Sequence, residues 1–301
     1  MLMGAMKIVC IGEILWDVFP DAEHLGGASF NFAAHARRFG HEVLFVSGVG
    51  DDDRGRRALA RAGELGLSTR FIQVIPGAAT GIVSVEVDSA GQPSFTIHRP
   101  AAYDYATLDQ ADLDELTSPA ADWVAYGTLF QMTGATRALT ERLLRAAEGS
   151  SFFYDVNLRS ASYDEQTVRR SLEFADIVKM NDAEVAILAS TFGVPCESTG
   201  AFSRSFAERF GLSSVSVTMG ARGCALLGNG EFVEAPGYPV QVADTVGSGD
   251  AFSAALLDGI GRGWPASRIA DFANRVGALV ASRAGAIPDW TIAEAASLTR
   301  F

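Results

Sequence analysis

Lysine is almost missing from this chain. Of its 301 residues only Lys7 and Lys179 are lysines, so nearly all positive charge is arginine. No Gly-Lys-Ser/Thr element exists, which excludes a Walker A phosphate loop, because that loop needs its lysine. Cysteine is equally sparse. Cys10, Cys196 and Cys224 lie far apart with no CxxC pair, a pattern that fits free, buried thiols in a reducing cytosol rather than a disulfide framework or a zinc site. The four histidines, His24, His35, His41 and His98, are scattered and suggest surface or packing roles, not a triad. Long apolar runs are absent too: none approaches the ~18 residues of a membrane span. The opening MLMGAMKIVCIGEIL is interrupted by Glu13 and lacks a small-residue cleavage site, so it reads as a first strand of a soluble, cytoplasmic protein. Basic residues are outnumbered, 24 to 36. A net charge of -12 argues against nucleic acid or an anionic membrane as partner.

What is present is a core. Apolar residues make up 48% of the chain, and short β-rich runs alternate with longer helical patterns, the mark of a parallel sheet covered on both faces. KIVCIG (7–12) and EVLFVSGVG (42–50) predict strands around a helix over 29–40; a helix over 54–65 follows. The rhythm continues with DWVAYG then 136–147, SFFYDV then 164–174, and DIVKM then 182–189. SVSVTMG precedes a hairpin, CALLGNGEFVEA, that turns at Asn229-Gly230. Helices over about 250–261 and 266–283 close the chain. The expected class is α/β, a doubly wound, mostly parallel sheet flanked by helices. One segment breaks the rhythm: residues 80–100 read as two alternating strands around Ala90-Gly91-Gln92-Pro93, an antiparallel hairpin that is either a lid or ordinary surface.

The stretch ADTVGSGDAFSAALLDG (243–259) carries the chemistry. Gly247, Ser248 and Gly249 have little side-chain bulk, so successive N–H groups can converge on one anion, and the following helix adds its positive end. The stretch predicts a phosphate cradle without a lysine. Asp250 would repel that phosphate unless it takes a proton from an attacking hydroxyl. The plain alternative is that Asp250 merely stabilises the helix start.

DTVGSGDAFSAAL resembles the C-terminal signature of the ribokinase-like, PfkB-type carbohydrate kinases, and LGGASFNFAAHARRFG (25–40) resembles their N-terminal motif. GEILWD, VGDDDRG, YDVNLR, KMNDAE, VTMGARG and GAIP follow in family order. The resemblance implies one ribokinase-like kinase domain over 1–301 with a small β lid formed by about 13–21 and 80–99. It implies Asp250 as catalytic base and the N–H groups of Gly247, Ser248 and Gly249 as the phosphoryl cradle. It places the sugar against Asp17, Gly26, Gly27 and Asn31, with Arg99 and Arg159 nearby, and ATP against Asn181, Glu184, Thr218, Gly220, Gly223 and Asn274. Glu184 would act on Mg²⁺ indirectly. Main-chain groups near Asp244, Val246 and 284–286 would hold a monovalent cation, K⁺. Relatives of this kind also imply a homodimer. Val246 and Ser248 depart from the commoner Thr and Ala without removing a main-chain donor. Asp17 could instead be a turn residue, Asn31 a helix cap, Asn181 and Glu184 a helix-start pair, and Arg99 and Arg159 surface ion pairs.

The GEILWD opening and FTIHRPAAYD resemble the fructokinase branch, which implies D-fructose as acceptor; 2-keto-3-deoxygluconate is the alternative, since an acid would suit the two arginines. A non-catalytic sugar or nucleotide sensor is the reading from another class. GVGDDDRG lacks both the GxGxxG spacing of a dinucleotide site and the ligand spacing of a calcium loop.

Overall fold

The computed structural model describes residues 4–87, 93–159 and 162–300. Its strands in chain order are β1 (Lys7–Ile11), β2 (Leu15–Val18), β3 (Glu23–Gly26), β4 (Glu42–Gly50), β5 (Ile72–Ile75), β6 (Gly81–Val87), β7 (Pro93–Ile97), β8 (Trp123–Gly127), β9 (Ser151–Asp155), β10 (Ile177–Asn181), β11 (Ser214–Thr218), β12 (Cys224–Gly228) and β13 (Glu231–Ala235). The helices are α1 (Ala28–Arg38), α2 (Asp53–Glu64), α3 (Gln110–Thr117), α4 (Gly134–Ala146), α5 (Glu165–Phe174), α6 (Asp182–Phe192), α7 (Thr199–Phe210), α8 (Ser248–Gly261), α9 (Ala266–Ala281) and α10 (Ile292–Ser297).

Nine strands form the large sheet in the order β13-β12-β11-β10-β9-β8-β1-β4-β5. All neighbours are parallel except β11–β12 and β12–β13, which are antiparallel. This is the expected doubly wound, ribokinase-like α/β fold. Alternation along β1 divides the core. Val9 and Ile11 join one apolar cluster with residues of α4 to α7, while Ile8 and Cys10 join another with α1, α8 and α9. Each fully buried Phe in these layers, such as Phe30, Phe45 and Phe202, contributes roughly 1.5–3 kcal/mol. Strand order reverses beside β1, with β4 on one side and β8 on the other, and such switch points open crevices at the carboxyl ends of the strands.

The turn at Asn229-Gly230 forms as expected, both residues with positive φ (53° and 76°). The hairpin of residues 80–100 is also antiparallel, β6 against β7; its expected turn, residues 90–93, falls largely outside the described residues. A second sheet of order β3-β2-β6-β7 holds it, so Glu23–Gly26 extends the expected lid strands. Of the cysteines, Cys10 and Cys224 are buried but Cys196 is exposed, which corrects the uniform burial expected from sequence. No helix among the described residues is long and apolar enough to cross a membrane.

An ion cluster locks the far end of α8. Arg262 Nε donates to both oxygens of Asp258 at 2.8 Å, His41 Nε2 lies 3.0 Å from Asp258 Oδ1, and Met6 N donates to His41 Nδ1 at 3.3 Å. Burial pushes the Asp258 carboxyl up, but the bonds from His41 and Arg262 outweigh it and hold the group below its usual value. A lowered folded value means stabilisation that is complete above the unfolded value and is lost as pH falls through the folded one. Asp258→Ala should therefore cost ~3 kcal/mol at neutral pH in denaturant titrations, because it strands the buried His41 and the part-buried Arg262. The gap from wild type should narrow below pH ~4; a neutral-pH cost under ~0.5 kcal/mol, the usual surface value, contradicts this.

Candidate active site

The carboxyl ends of β1, β8, β9 and β10 meet the N-termini of α1 and α8 at one edge of the large sheet. Helix α1 begins at Gly27, which has no side chain to cap it. Glu13, from the loop after β1, supplies the missing acceptor: Ser29 N donates to Oε1 and Ser29 Oγ to Oε2, both at 3.3 Å. Gly27 is required there, with φ 107° and an added Cβ only 2.6 Å from the Glu13 carbonyl oxygen. The consequence is a fixed α1.

That helix aims Asn31 at Asp250. Asn31 Nδ2 donates to Asp250 Oδ2 at 2.8 Å, while Asn31 Oδ1 is buried with no partner. A Cβ on Gly26 would lie 3.0 Å from Asp17 Oδ2 and 3.8 Å from Asn31 Oδ1. Asp17, Gly26 and Asn31 thus surround one small space, roofed by the second sheet. An unsatisfied buried amide oxygen costs about 1–3 kcal/mol unless a ligand hydroxyl fills that role. Burial pushes Asp17 up to about 6, against the pull of Arg159 and His24.

Asp250 sits in the first turn of α8, capped by Gly247 at φ 77°. Burial and the neighbouring Asp155 push its carboxyl up to about 7, against Lys179, the Asn31 bond and Arg159. The first-turn N–H groups of Gly249 and Asp250 have no carbonyl one turn back inside the helix. Ser248 N, by contrast, already donates to Thr245 O at 3.3 Å.

A lysine from β10 stands beside the expected cradle. Lys179 Nζ donates to both oxygens of Asp155 at 3.2 Å and lies 3.4 Å from where a Gly249 Cβ would be. Ser253 Oγ, one turn into α8, donates to Asp155 Oδ2 at 2.9 Å. Burial lowers the Lys179 ammonium, but Asp155, Glu184 and Asp250 together keep it above its usual value, so it stays charged. Sequence spacing hides it because Lys179 reads as one more residue of a strand. Its signal is rarity: a lysine inside a buried strand needs a charged partner.

The Asn181–Glu184 pair is a capping box. Glu184 N donates to Asn181 Oδ1 at 2.9 Å, and Asn181 N donates to Glu184 Oε2 at 2.7 Å. Glu184 Oε1 also accepts from Leu158 N at 2.7 Å, which ties down the loop carrying Asn157, at φ 38°, and the exposed Arg159. Thr218 pairs with Asn181 across β10 and β11. Gly220 and Gly223 flank the next turn; at Gly223 an added Cβ would lie 2.1 Å from Ala235 O, so only glycine lets the two backbones cross.

Two residues expected at the ligands also make bonds within the protein. Asn274 donates to Ala235 O at 3.0 Å and Pro236 O at 3.3 Å, holding α9 to the end of β13. Arg99 donates to Leu129 O at 2.8 Å and pairs with Asp104, so its guanidinium is engaged beneath the small sheet. At the expected cation junction the Asp244 side chain and the Ala286 carbonyl meet donors of the protein. Asp244 accepts from Val246 N at 2.9 Å and Gly285 N at 3.1 Å, and His35 Nε2 lies 3.0 Å from Ala286 O.

The family model of pfkB family carbohydrate kinases matches residues 6–293. An uncharacterized sugar kinase of Pyrococcus horikoshii is 32% identical, covering 93% of this chain and 91% of that one; its structure in complex with ATP superposes with a TM-score of 0.79, over 93% and 94% of the two chains. Fructokinase-1 of Zea mays is 29% identical over 96% of this chain and 95% of its own. A 2-dehydro-3-deoxygluconokinase of Thermotoga maritima shares the fold, with a TM-score of 0.87 at 20% identity over 98% of each chain.

The raised carboxyl of Asp250 has a stability consequence. Its folded value, about 7, lies above the 3.8 of an ordinary aspartate, so the stabilisation it offers exists at low pH and is lost as pH rises through 7. Asp250→Asn should raise the thermal midpoint at pH 8, and the gain should shrink toward pH 4. An unchanged or lower midpoint at pH 8 contradicts the burial of a costly charge.

Proposed function

The chain belongs to the pfkB family of carbohydrate kinases, and from that membership we propose that it transfers the γ-phosphoryl group of ATP to a primary hydroxyl of D-fructose. One observation carries the reading: Asp250 stands in the first turn of α8, joined by Asn31 to the space that Asp17 and Gly26 line. A carboxylate between free helix N–H groups and a hydroxyl-binding space suits a general base.

The sugar hydroxyl gives its proton to Asp250 as its oxygen bonds to the γ-phosphorus; the bond to the β-phosphate oxygen breaks and ADP leaves. The free N–H groups of Gly249 and Asp250 receive the oxygens of the transferring group. Lys179, held by Asp155, offsets charge that three nearby carboxylates would otherwise oppose. Mg²⁺ brought with the nucleotide would neutralise its phosphate oxygens. Glu184 fits that role only indirectly, since both its oxygens already accept backbone N–H groups, and no group of three His, Cys, Asp or Glu among the described residues could hold a metal alone. The small sheet, which carries Asp17 and Gly26, acts as a lid over the sugar.

Fructokinase relatives favour fructose. The second reading is 2-keto-3-deoxygluconate. It is favoured by Arg159, whose charge reaches Asp17, Glu13 and Asp250 and could meet a substrate carboxylate. ADP release measured with fructose, ribose, 2-keto-3-deoxygluconate and adenosine should be highest with fructose; highest turnover with the acid replaces it by the second reading.

Asp250→Asn should lower kcat by ~10²–10⁴ with ATP affinity changed by less than about ten-fold, or ~1.4 kcal/mol, in calorimetric titration; near-normal kcat removes the base. The acid limb of kcat/KM should be half-maximal near pH 7, where Asp250 ionises. A limb centred near pH ~4 would assign the proton to an unperturbed carboxylate.

A further inference from the structure

His35 is a buried imidazole that the reaction above does not use. It lies on α1 one turn after Asn31, fully buried. Trp290 Nε1 donates to His35 Nδ1 at 3.2 Å. Indole nitrogen can only donate, so Nδ1 must be bare and the ring proton must sit on Nε2. That Nε2–H donates to Ala286 O at 3.0 Å. Burial and the nearby Arg38 push His35 down to about 4, against the pull of the Ala286 bond, so the ring is neutral at ordinary pH.

The Ala286 carbonyl is not an idle acceptor. A Cβ on Gly247 would lie 2.2 Å from its oxygen and 2.7 Å from its Cα, so it packs directly on the first residue of the phosphoryl-binding turn. On the other side of the same junction, the two bonds accepted by Asp244 draw Val246 and Gly285 together. A ring of contacts results. It runs from His35 to Ala286, Gly247 and Asp250, then through Asn31 back to α1. Within it, among the described residues, the His35 imidazole is the hydrogen-bond donor to the Ala286 carbonyl.

We propose that His35 is a positioning residue for phosphoryl transfer, its Nε2–H holding the Ala286 carbonyl and hence Gly247 in place of a monovalent cation bound at this junction. A cation there would orient carbonyl oxygens by its charge. A fixed N–H does so by direction, and it needs no ion from solution. Turnover then depends on the donor at position 35 rather than on the salt. Loss of the donor leaves the carbonyl free to rotate and Gly247 free to shift, and a shift of ~1 Å at a reacting centre costs about 10²-fold in rate.

The inference rests on the Gly247–Asp250 turn being the phosphoryl site. The test uses the full chain with ATP and its best sugar, in chloride salts of K⁺, Na⁺ or tetramethylammonium at equal ionic strength. Wild-type kcat should change less than about ten-fold between salts, the factor 1.4 kcal/mol would produce. His35→Leu, which keeps bulk but no donor, should lower kcat by roughly 10- to 100-fold with little change in the KM for ATP, and K⁺ should partly restore the rate. His35→Gln, whose amide can donate at similar reach, should recover most of kcat, whereas a merely structural loss would lower the thermal midpoint of both variants without that split. A folded His35→Leu with wild-type kcat, or wild-type turnover that collapses in tetramethylammonium, overturns the role of His35. Should the leucine variant fail to fold, the salt comparison and His35→Gln still decide. A wild-type protein that phosphorylates no sugar overturns the site reading itself.

Discussion

The structure depends on a concentration of negative charge where more must arrive. Asp155, Glu184 and Asp250 crowd around one buried ammonium, Lys179, at the positive end of α8. In isolation such acids would repel a polyphosphate and resist burial. What makes the site tenable is that each carboxylate is individually answered. Among the described residues, Asp155 accepts from Lys179 and Ser253, Glu184 from two backbone N–H groups, and Asp250 from Asn31 alone. The least satisfied of the three is the one pushed up to about 7. In the proposed reaction, that ordering separates the acid that takes the proton from those that hold the frame.

The frame is delivered by topology. Strand order reverses beside β1, so β1, β8, β9 and β10 bring Glu13, Gly127, Asp155 and Lys179 toward one edge. Helices α1 and α8 arrive there N-terminus first, and both begin at a glycine without a side-chain cap. One helix end borrows a carboxylate from the chain, Glu13. The other receives the phosphoryl group in the proposed reaction. The small sheet contributes Asp17 and Gly26 from above, which fits sugar hydroxyls meeting polar groups while phosphates meet N–H groups.

Much of this is legible in the amino-acid sequence. Alternating short β runs and helical stretches point to the doubly wound sheet because parallel strands buried on both faces are uniformly apolar, as EVLFVSGVG is. Gly-Ser-Gly-Asp ahead of an apolar helix points to the cradle because only main-chain chemistry explains so little side-chain bulk. Less visible are contacts made across the chain. Lys179 is 24 residues from Asp155 and looks like part of an apolar strand. The reach of Asn31 to Asp250 spans 219 residues, and that of His35 to Ala286 spans 251. The intramolecular partners of Asn274 and Arg99 are hidden for the same reason: their motifs show the residue type, whereas Ala235, Pro236, Leu129 and Asp104 are brought to them by packing. The short strand β3 and helices α3 and α10 escape a sequence reading because a few residues of mixed polarity carry no clear period, whereas α7 has a legible stripe, Phe202, Phe206 and Phe210 at every fourth position.

One protonation equilibrium underlies the chemistry. A carboxylate poised near neutrality between a hydroxyl-binding space and a helix end can accept a proton at the moment a phosphoryl group is transferred; an ordinary surface carboxylate would be too weak a base. Titration of the Asp250 side-chain carboxyl by ¹³C NMR, with Asp250→Asn to assign the signal, tests this most directly. A midpoint near 7 is expected in the nucleotide-free protein. A midpoint near ~4 would show that Asp250 is an ordinary helix-start acid and would contradict its role as the base.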